Sequence, residues 1–184
     1  MLFRSYAEGP LAPLPPGYRL IVPAGTSAST GSGSFSVDPG SAYTIERVLG
    51  EGTFGIAYLV RHSSNPSHPL VMKVPRSPAA ASRLRTEAAT LCSLSHHSIV
   101  PFRTFCSFPG RADFLVMEYA AGGSLAARLA VPGARLDPPS VCRILLHALQ
   151  ALEYIHLKGV LHLDIKCVRR EQSPCVRAPA PHPF

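Results

Sequence analysis

The stretch that decides the fold is Leu49-Gly50-Glu51-Gly52-Thr53-Phe54-Gly55, followed by Ile56-Ala57-Tyr58-Leu59-Val60. Three glycines at this spacing let a backbone approach phosphate oxygens, but the spacing alone is shared by dinucleotide-binding folds and ordinary turns. A dinucleotide fold would open a helix at the last glycine and hold the ribose with an acidic residue about 20 positions on. Here a β-prone run follows instead, and no Asp or Glu lies between Glu51 and Glu87. A turn-rich segment, His62 to Ser67, leads into a second apolar run, Leu70-Val71-Met72-Lys73-Val74. The pattern predicts strand, glycine turn, strand, loop, strand. No Gly-Lys-Ser/Thr occurs, which excludes a P-loop NTPase.

Downstream, Leu84, Ala88 and Leu91 recur at helical spacing and predict a helix over 79–94 that carries Glu87. Ser95-His96-His97-Ser98-Ile99-Val100 follows it, then the apolar run Phe114-Leu115-Val116-Met117-Glu118-Tyr119-Ala120. Asp137-Pro138 reads as an N-cap with proline in the first turn. It opens a helix with Val141, Ile144, Leu145, Ala148, Leu152 and Ile155 on one stripe, ending near Lys158-Gly159. Then comes Val160-Leu161-His162-Leu163-Asp164-Ile165-Lys166.

In this order the motifs resemble those of the eukaryotic-type protein kinases of the serine/threonine class. Singly each has a bland reading: Lys73 as a surface lysine, Glu87 as a solvated helix charge, Asp164 as a cap. Five in sequence remove the coincidence. The resemblance implies an α+β fold: a complete small lobe of antiparallel sheet plus one helix, with only the first helices of the large lobe. It implies ATP held at Leu49, Gly50, Gly52, Gly55, Ala57, Lys73, Glu87, Met117, Glu118 and Ala120. Lys73 would hold the α- and β-phosphates and Glu87 would orient it. Glu118 and Ala120 would offer backbone groups to adenine, and Met117 would guard the back of its pocket. Asp164 would be the base that accepts the substrate hydroxyl proton, with Lys166 beside it and His162 as a packed, shaping ring. Ala57 and Met72 stand where the family commonly has valine and alanine against the adenine. A smaller and a larger residue would then conserve volume, and Met72→Ala would weaken nucleotide binding.

The pattern breaks after Lys166. Arg169 stands where the family has a magnesium-binding asparagine, and a cation cannot ligate a cation. Nothing later resembles Asp-Phe-Gly or Ala-Pro-Glu. The expectations are therefore that Mg2+ lacks its protein ligands here and that the chain is a fragment with little transfer activity; the alternative is a non-catalytic regulatory or pseudokinase fragment that binds a partner, or a chaperone, through the exposed apolar face of its long helix.

The organisation read from composition is a flexible Pro/Gly/Ser-rich leader over 1–42, broken by the apolar Leu20-Ile21-Val22, which would add a strand to a partner or pack loosely on the small lobe. A partial kinase domain follows over 43–166, with the small lobe at 43–119 and the hinge exit and large-lobe start at 120–166. An Arg/Pro-rich disordered tail spans 167–184. The formal net charge of +7 is scattered over the 184 residues without an aromatic-interleaved basic patch, so no nucleic-acid partner is expected. The five cysteines include no CxxC, which favours reduced thiols and an intracellular, cytoplasmic setting. No apolar run reaches membrane-spanning length, and no membrane partner is expected.

Overall fold

The computed structural model describes residues 12–22, 28–30, 33–35, 40–107 and 113–165. Eight strands and three helices follow one another along the described chain. They are β1 (Arg19–Ile21), β2 (Ala28–Thr30), β3 (Gly33–Phe35), β4 (Ala42–Glu51), β5 (Gly55–His62), β6 (Asn65–Pro75), α1 (Pro78–Cys92), β7 (Phe102–Cys106), β8 (Phe114–Glu118), α2 (Leu125–Leu129) and α3 (Pro138–Leu157). Six strands form one antiparallel sheet in the order β1-β4-β5-β6-β8-β7, while β2 and β3 pair only with each other.

Each face of the sheet carries a buried core, and strand parity decides which residue faces where. Directly opposed residues on antiparallel strands share a face. The register opposes Ala57 to Lys73 and Tyr58 to Met72, so the two pairs point to opposite sides. Tyr58, Val60, Met72, Val74, Phe114 and Val116 build a core on the side away from α1. Leu115 and Met117 of β8 pack with Phe105 against Leu84 and Ala88 of α1 on the other.

The far-side core is closed by a segment expected to be a flexible leader. Arg19, Leu20 and Ile21 pair with Thr44, Tyr43 and Ala42 and add a sixth strand. Leu20 and Val22 are buried within this core, with Leu14 and Tyr18 packed against it. The Leu14 N–H donates to the Tyr58 hydroxyl at 3.0 Å, and the Gly17 N–H donates to the Ile45 carbonyl at 2.7 Å. Residues 12–22 are thus part of the lobe, because the outer sheet face is too apolar to stand open to water.

Helix boundaries fall close to their sequence signals. α1 begins one residue earlier than expected: the Ser77 hydroxyl accepts from the Ala80 N–H, and proline occupies the first helical position. Asp137 caps α3 in the same way through the Ser140 N–H. At its other end Gly159 has φ +71°, and the Val160 N–H returns to the Ile155 carbonyl at 2.9 Å, the six-to-one bond of a glycine stop. β6 starts at Asn65, not Leu70, so the predicted loop shrinks to a tight turn at Ser63-Ser64.

On α3, Ile155 is buried, whereas Val141, Ile144 and Leu145 of the expected stripe are exposed, as are Leu146 and Leu149 beside it. This matches the expected open apolar face.

Candidate functional site

The glycine segment becomes a two-residue hairpin between β4 and β5. The Gly52 N–H donates to the Gly55 carbonyl at 3.0 Å, and the Gly55 N–H returns to the Gly52 carbonyl at 3.3 Å. None of Gly50, Gly52 and Gly55 has a positive φ, so space rather than backbone conformation explains them. A Cβ on Gly55 would lie 2.5 Å from the Val74 carbonyl oxygen, which fixes glycine there for packing. A Cβ on Gly50 or Gly52 would meet nothing within 4 Å. The chain itself does not require glycine at those two positions, whereas a ligand approaching the backbone would. Leu49 is the extra residue of a β-bulge: Val48 opposes Tyr58 and Gly50 opposes Ala57, with Leu49 unpaired between them. The bulge brings Gly50 onto the face that carries Ala57 and Lys73.

Beneath the hairpin, the Lys73 ammonium lies 2.5 Å from the Glu87 carboxylate, joining β6 to α1. Both side chains are about 40% exposed, so the pair is accessible to a ligand rather than sealed. Gly50, Gly52, Gly55, Ala57, Lys73 and Glu87 line one cavity of about 420 Å³. The expected residues Leu49, Met117, Glu118, Ala120 and Asp164 do not line it. Two contacts that sequence reading missed brace the hairpin. Glu51 forms an ion pair with Arg76 just past β6, and the Arg83 guanidinium of α1 sits 4.6 Å above the Phe54 ring centroid. Arg83 lies one helical turn before Glu87, and that i, i+4 spacing was the available signal.

At the strand end, Met117 is buried against the α1-side core. The Glu118 N–H donates to the Pro101 carbonyl at 3.1 Å, and the Ala120 carbonyl accepts from the Gly123 N–H at 3.0 Å. A ligand bond to Glu118's backbone would therefore use its carbonyl, and one to Ala120 its N–H: an acceptor and a donor two residues apart. The Glu118 side chain is held away by His68, at 2.6 Å, and by Arg103. Burial raises its pKa, but the hydrogen bonds from His68 and Arg103 outweigh this and hold the carboxyl below its usual range.

One expectation is overturned here. Met72 is fully buried in the core on the far side of the sheet from Lys73. It cannot touch a ligand held by Lys73, and no volume exchange with Ala57 exists. The residue of β6 that shares the Lys73 face is Val71, opposite Leu59.

Beyond α3, His162 is exposed rather than packed. Its Nδ1 accepts from the Asp164 N–H at 3.3 Å, while the intervening Leu163 takes φ +58°, an uncommon conformation for a non-glycine residue. The ring shapes the loop by this bond, not by burial. His162 joins Glu87, Leu91, Met117, Leu152 and Ile155 around a second cavity of about 580 Å³, and Asp164 lies outside it on an exposed stretch. Lys166 and Arg169 lie outside the described residues.

This lobe, with a lysine–glutamate pair under a glycine hairpin, belongs to a known class: the chain is a member of the protein kinase domain family, which it matches over residues 43–168. Its relatives are serine/threonine kinases. It is 32% identical over 129 residues to serine/threonine-protein kinase Nek6 of Oryza sativa subsp. japonica, covering 68% of this chain and 24% of that protein. It is 30% identical over 138 residues to Aurora/IPL1-related protein kinase 2 of Caenorhabditis elegans, covering 73% and 44%. Among solved structures it is similar to Rad53 in complex with AMP-PNP (TM-score 0.57, 26% identity, 66% of this chain and 32% of that one). It is also similar to the Mycobacterium tuberculosis PknI kinase domain (TM-score 0.52, 30% identity, 67% and 51%). The chain thus spans a quarter to under half of these two curated relatives.

The family works with ATP and magnesium. The carboxylates lining the first cavity do not fit a metal: Glu87 is paired with Lys73 and Glu51 with Arg76. Among the described residues no three His, Cys, Asp or Glu side chains converge as metal ligands. Nor does any described helix have the length and apolarity to cross a membrane.

Proposed function

We propose that this chain binds ATP between the glycine hairpin and Lys73, as part of a kinase that transfers the γ-phosphoryl group to a protein serine or threonine hydroxyl. The observation that carries the reading is the Lys73–Glu87 pair at 2.5 Å, set under a hairpin whose Gly50 and Gly52 leave room for a ligand. Glu87 pre-positions a flexible cation, so that phosphate binding need not order the lysine stem. The Glu118 carbonyl and the Ala120 N–H present an acceptor and a donor suited to the adenine edge. Asp164 is the base of the transfer and Lys166 its neighbour.

For this chain itself we propose little transfer activity, because the described donors do not fit magnesium and Arg169 takes the asparagine position. An intracellular setting belongs to the same proposal, supported by the free thiols of Cys92, Cys106 and Cys142. The test is a titration of the full chain with ATP, with Lys73→Met as control. Saturable binding that weakens at least about tenfold in the variant is expected from the loss of a charged phosphate contact. A folded wild-type chain that binds no ATP refutes the reading. A phosphoryl-transfer assay with an Asp164→Asn control then measures whatever activity exists.

A second reading has its own support. The exposed Leu145, Leu146 and Leu149 on α3 are a surface of the kind that binds a protein partner or a chaperone. A monodisperse monomer that binds little hydrophobic dye would count against it.

A further inference from the structure

We infer that Arg83 of α1 is a second phosphate-binding residue of this cleft, held in reserve on the Phe54 ring until an anionic ligand enters. The inference deepens the ATP reading and rests on it. Four charged side chains line the 420 Å³ cavity: Glu51, Lys73, Arg83 and Glu87. Lys73 and Glu87 neutralise each other, and Glu51 is taken by Arg76. Among the described residues Arg83 pairs with no carboxylate; its guanidinium rests 4.6 Å above the Phe54 ring centroid. The cavity therefore carries one cation balanced by no acid, and it is lined too by the two glycines whose missing side chains leave space.

A cation over an exposed ring is held only weakly, and Phe54 is 59% exposed at the hairpin tip. A phosphate offers the guanidinium a stronger, charge-assisted and bidentate partner. Arg83 also sits one turn from Glu87 on the same helix face, so its movement onto a phosphate leaves the Lys73–Glu87 pair intact. The consequences are twofold. Affinity should depend on the phosphate chain, since adenosine has nothing to draw Arg83 off the ring. Part of the neutralisation of the phosphates should come from the protein itself, in a cleft whose carboxylates do not fit a metal.

The test compares ATP and adenosine binding to the full-length chain and to Arg83→Gln and Arg83→Lys, in magnesium and in EDTA, with melting curves to show that each variant is folded. The expected result is that Arg83→Gln lowers ATP affinity about tenfold or more, as for a lost charge-assisted bond, and leaves adenosine affinity unchanged. Arg83→Lys should recover part of the loss, and the ATP effect should persist in EDTA. Equal ATP affinity in wild type and a folded Arg83→Gln overturns the inference while leaving the ATP site standing. A parallel loss for adenosine also overturns it, because Arg83 would then shape the lobe rather than touch phosphate. Binding of neither ligand to the wild-type chain removes the underlying ATP reading as well.

Discussion

Replacing Met72 by alanine separates the two faces of the sheet, because the pleat puts Met72 and Lys73 on opposite sides. Met72 is fully buried among Tyr58, Val60, Leu70 and Phe114. The truncation removes three heavy atoms, so the transfer loss alone is roughly 2–2.5 kcal/mol at about 0.8 per methylene-sized group. With the cavity that remains, the total should fall at about 2–5 kcal/mol. For a domain of this size that corresponds to a fall in Tm of roughly 5–15 °C. Nucleotide affinity of the folded protein should not change. Ala57→Met is the mirror experiment: Ala57 lines the cavity beside Lys73, so the longer side chain should obstruct ATP and alter melting little. Thermal melts and ATP titrations on both variants make the comparison. If Met72→Ala melted like the wild type yet bound ATP weakly, the assignment of faces, and with it the placement of the site, would be wrong.

Other substitutions test single contacts. Gly55→Ala should destabilise by about 1–3 kcal/mol, since its Cβ would lie 2.5 Å from the Val74 carbonyl oxygen, whereas Gly52→Ala should melt normally and lose affinity for ATP alone. Asp113 is buried to 1% exposure and receives hydrogen bonds from Arg85 at 2.8 Å and Ser107 at 2.7 Å. Arg85→Ala should therefore cost about 1–3 kcal/mol in a urea melt by leaving that carboxylate short of a partner, and Asp113→Asn should recover part of it in the double variant. Glu118 has a folded-state pKa below its unfolded value. Its contribution is thus fully present above about pH 4.3 and is lost as pH falls through the folded value. Glu118→Gln should flatten the acid limb of a plot of Tm against pH; an unaltered acid limb would show that His68 and Arg103 do not stabilise the ionised form.

Elements with local signals were legible in the sequence. Asp137 followed by proline, and Lys158 followed by Gly159, gave α3 both its ends because capping is a property of adjacent residues. Residues 12–22 were legible only in part, as an apolar break with two open readings. Leu20-Ile21-Val22 is a short apolar run among glycine and proline, and composition there reads as linker. Its burial comes from β4, whose pairing residues Ala42, Tyr43 and Thr44 lie more than 20 positions downstream. A three-residue strand is decided by the face it covers, and that face is assembled from distant segments.

The site was legible in its chemistry and illegible in its facing. Lys73, Glu87 and the three glycines come together as their order implied, but two details depended on parity along strands. In β6 a step of one residue separates Met72 from Lys73 and sends it to the opposite core, an inference that needed only the alternation of a strand. In β4 the alternation itself is interrupted at Glu46 and again at Leu49, where register shifts leave each residue unpaired. Counting by twos from Ile45, which is buried in the far-side core, would put Arg47 on Ile45's face and Val48 on the other. The first bulge instead puts Val48 on Ile45's face, opposite Tyr58, and the second restores the alternation, so that Gly50 lies opposite Ala57 and Glu51 opposite Ile56. No residue type in that stretch announces a bulge, since each forms to satisfy pairing with β5. Arg83 was missed for a related reason. Its partner Phe54 lies on a sequence-distant hairpin whose base carries the Glu51–Arg76 pair. A residue's chemistry can be read from its type, but its partner is fixed by register, which the whole sheet decides together.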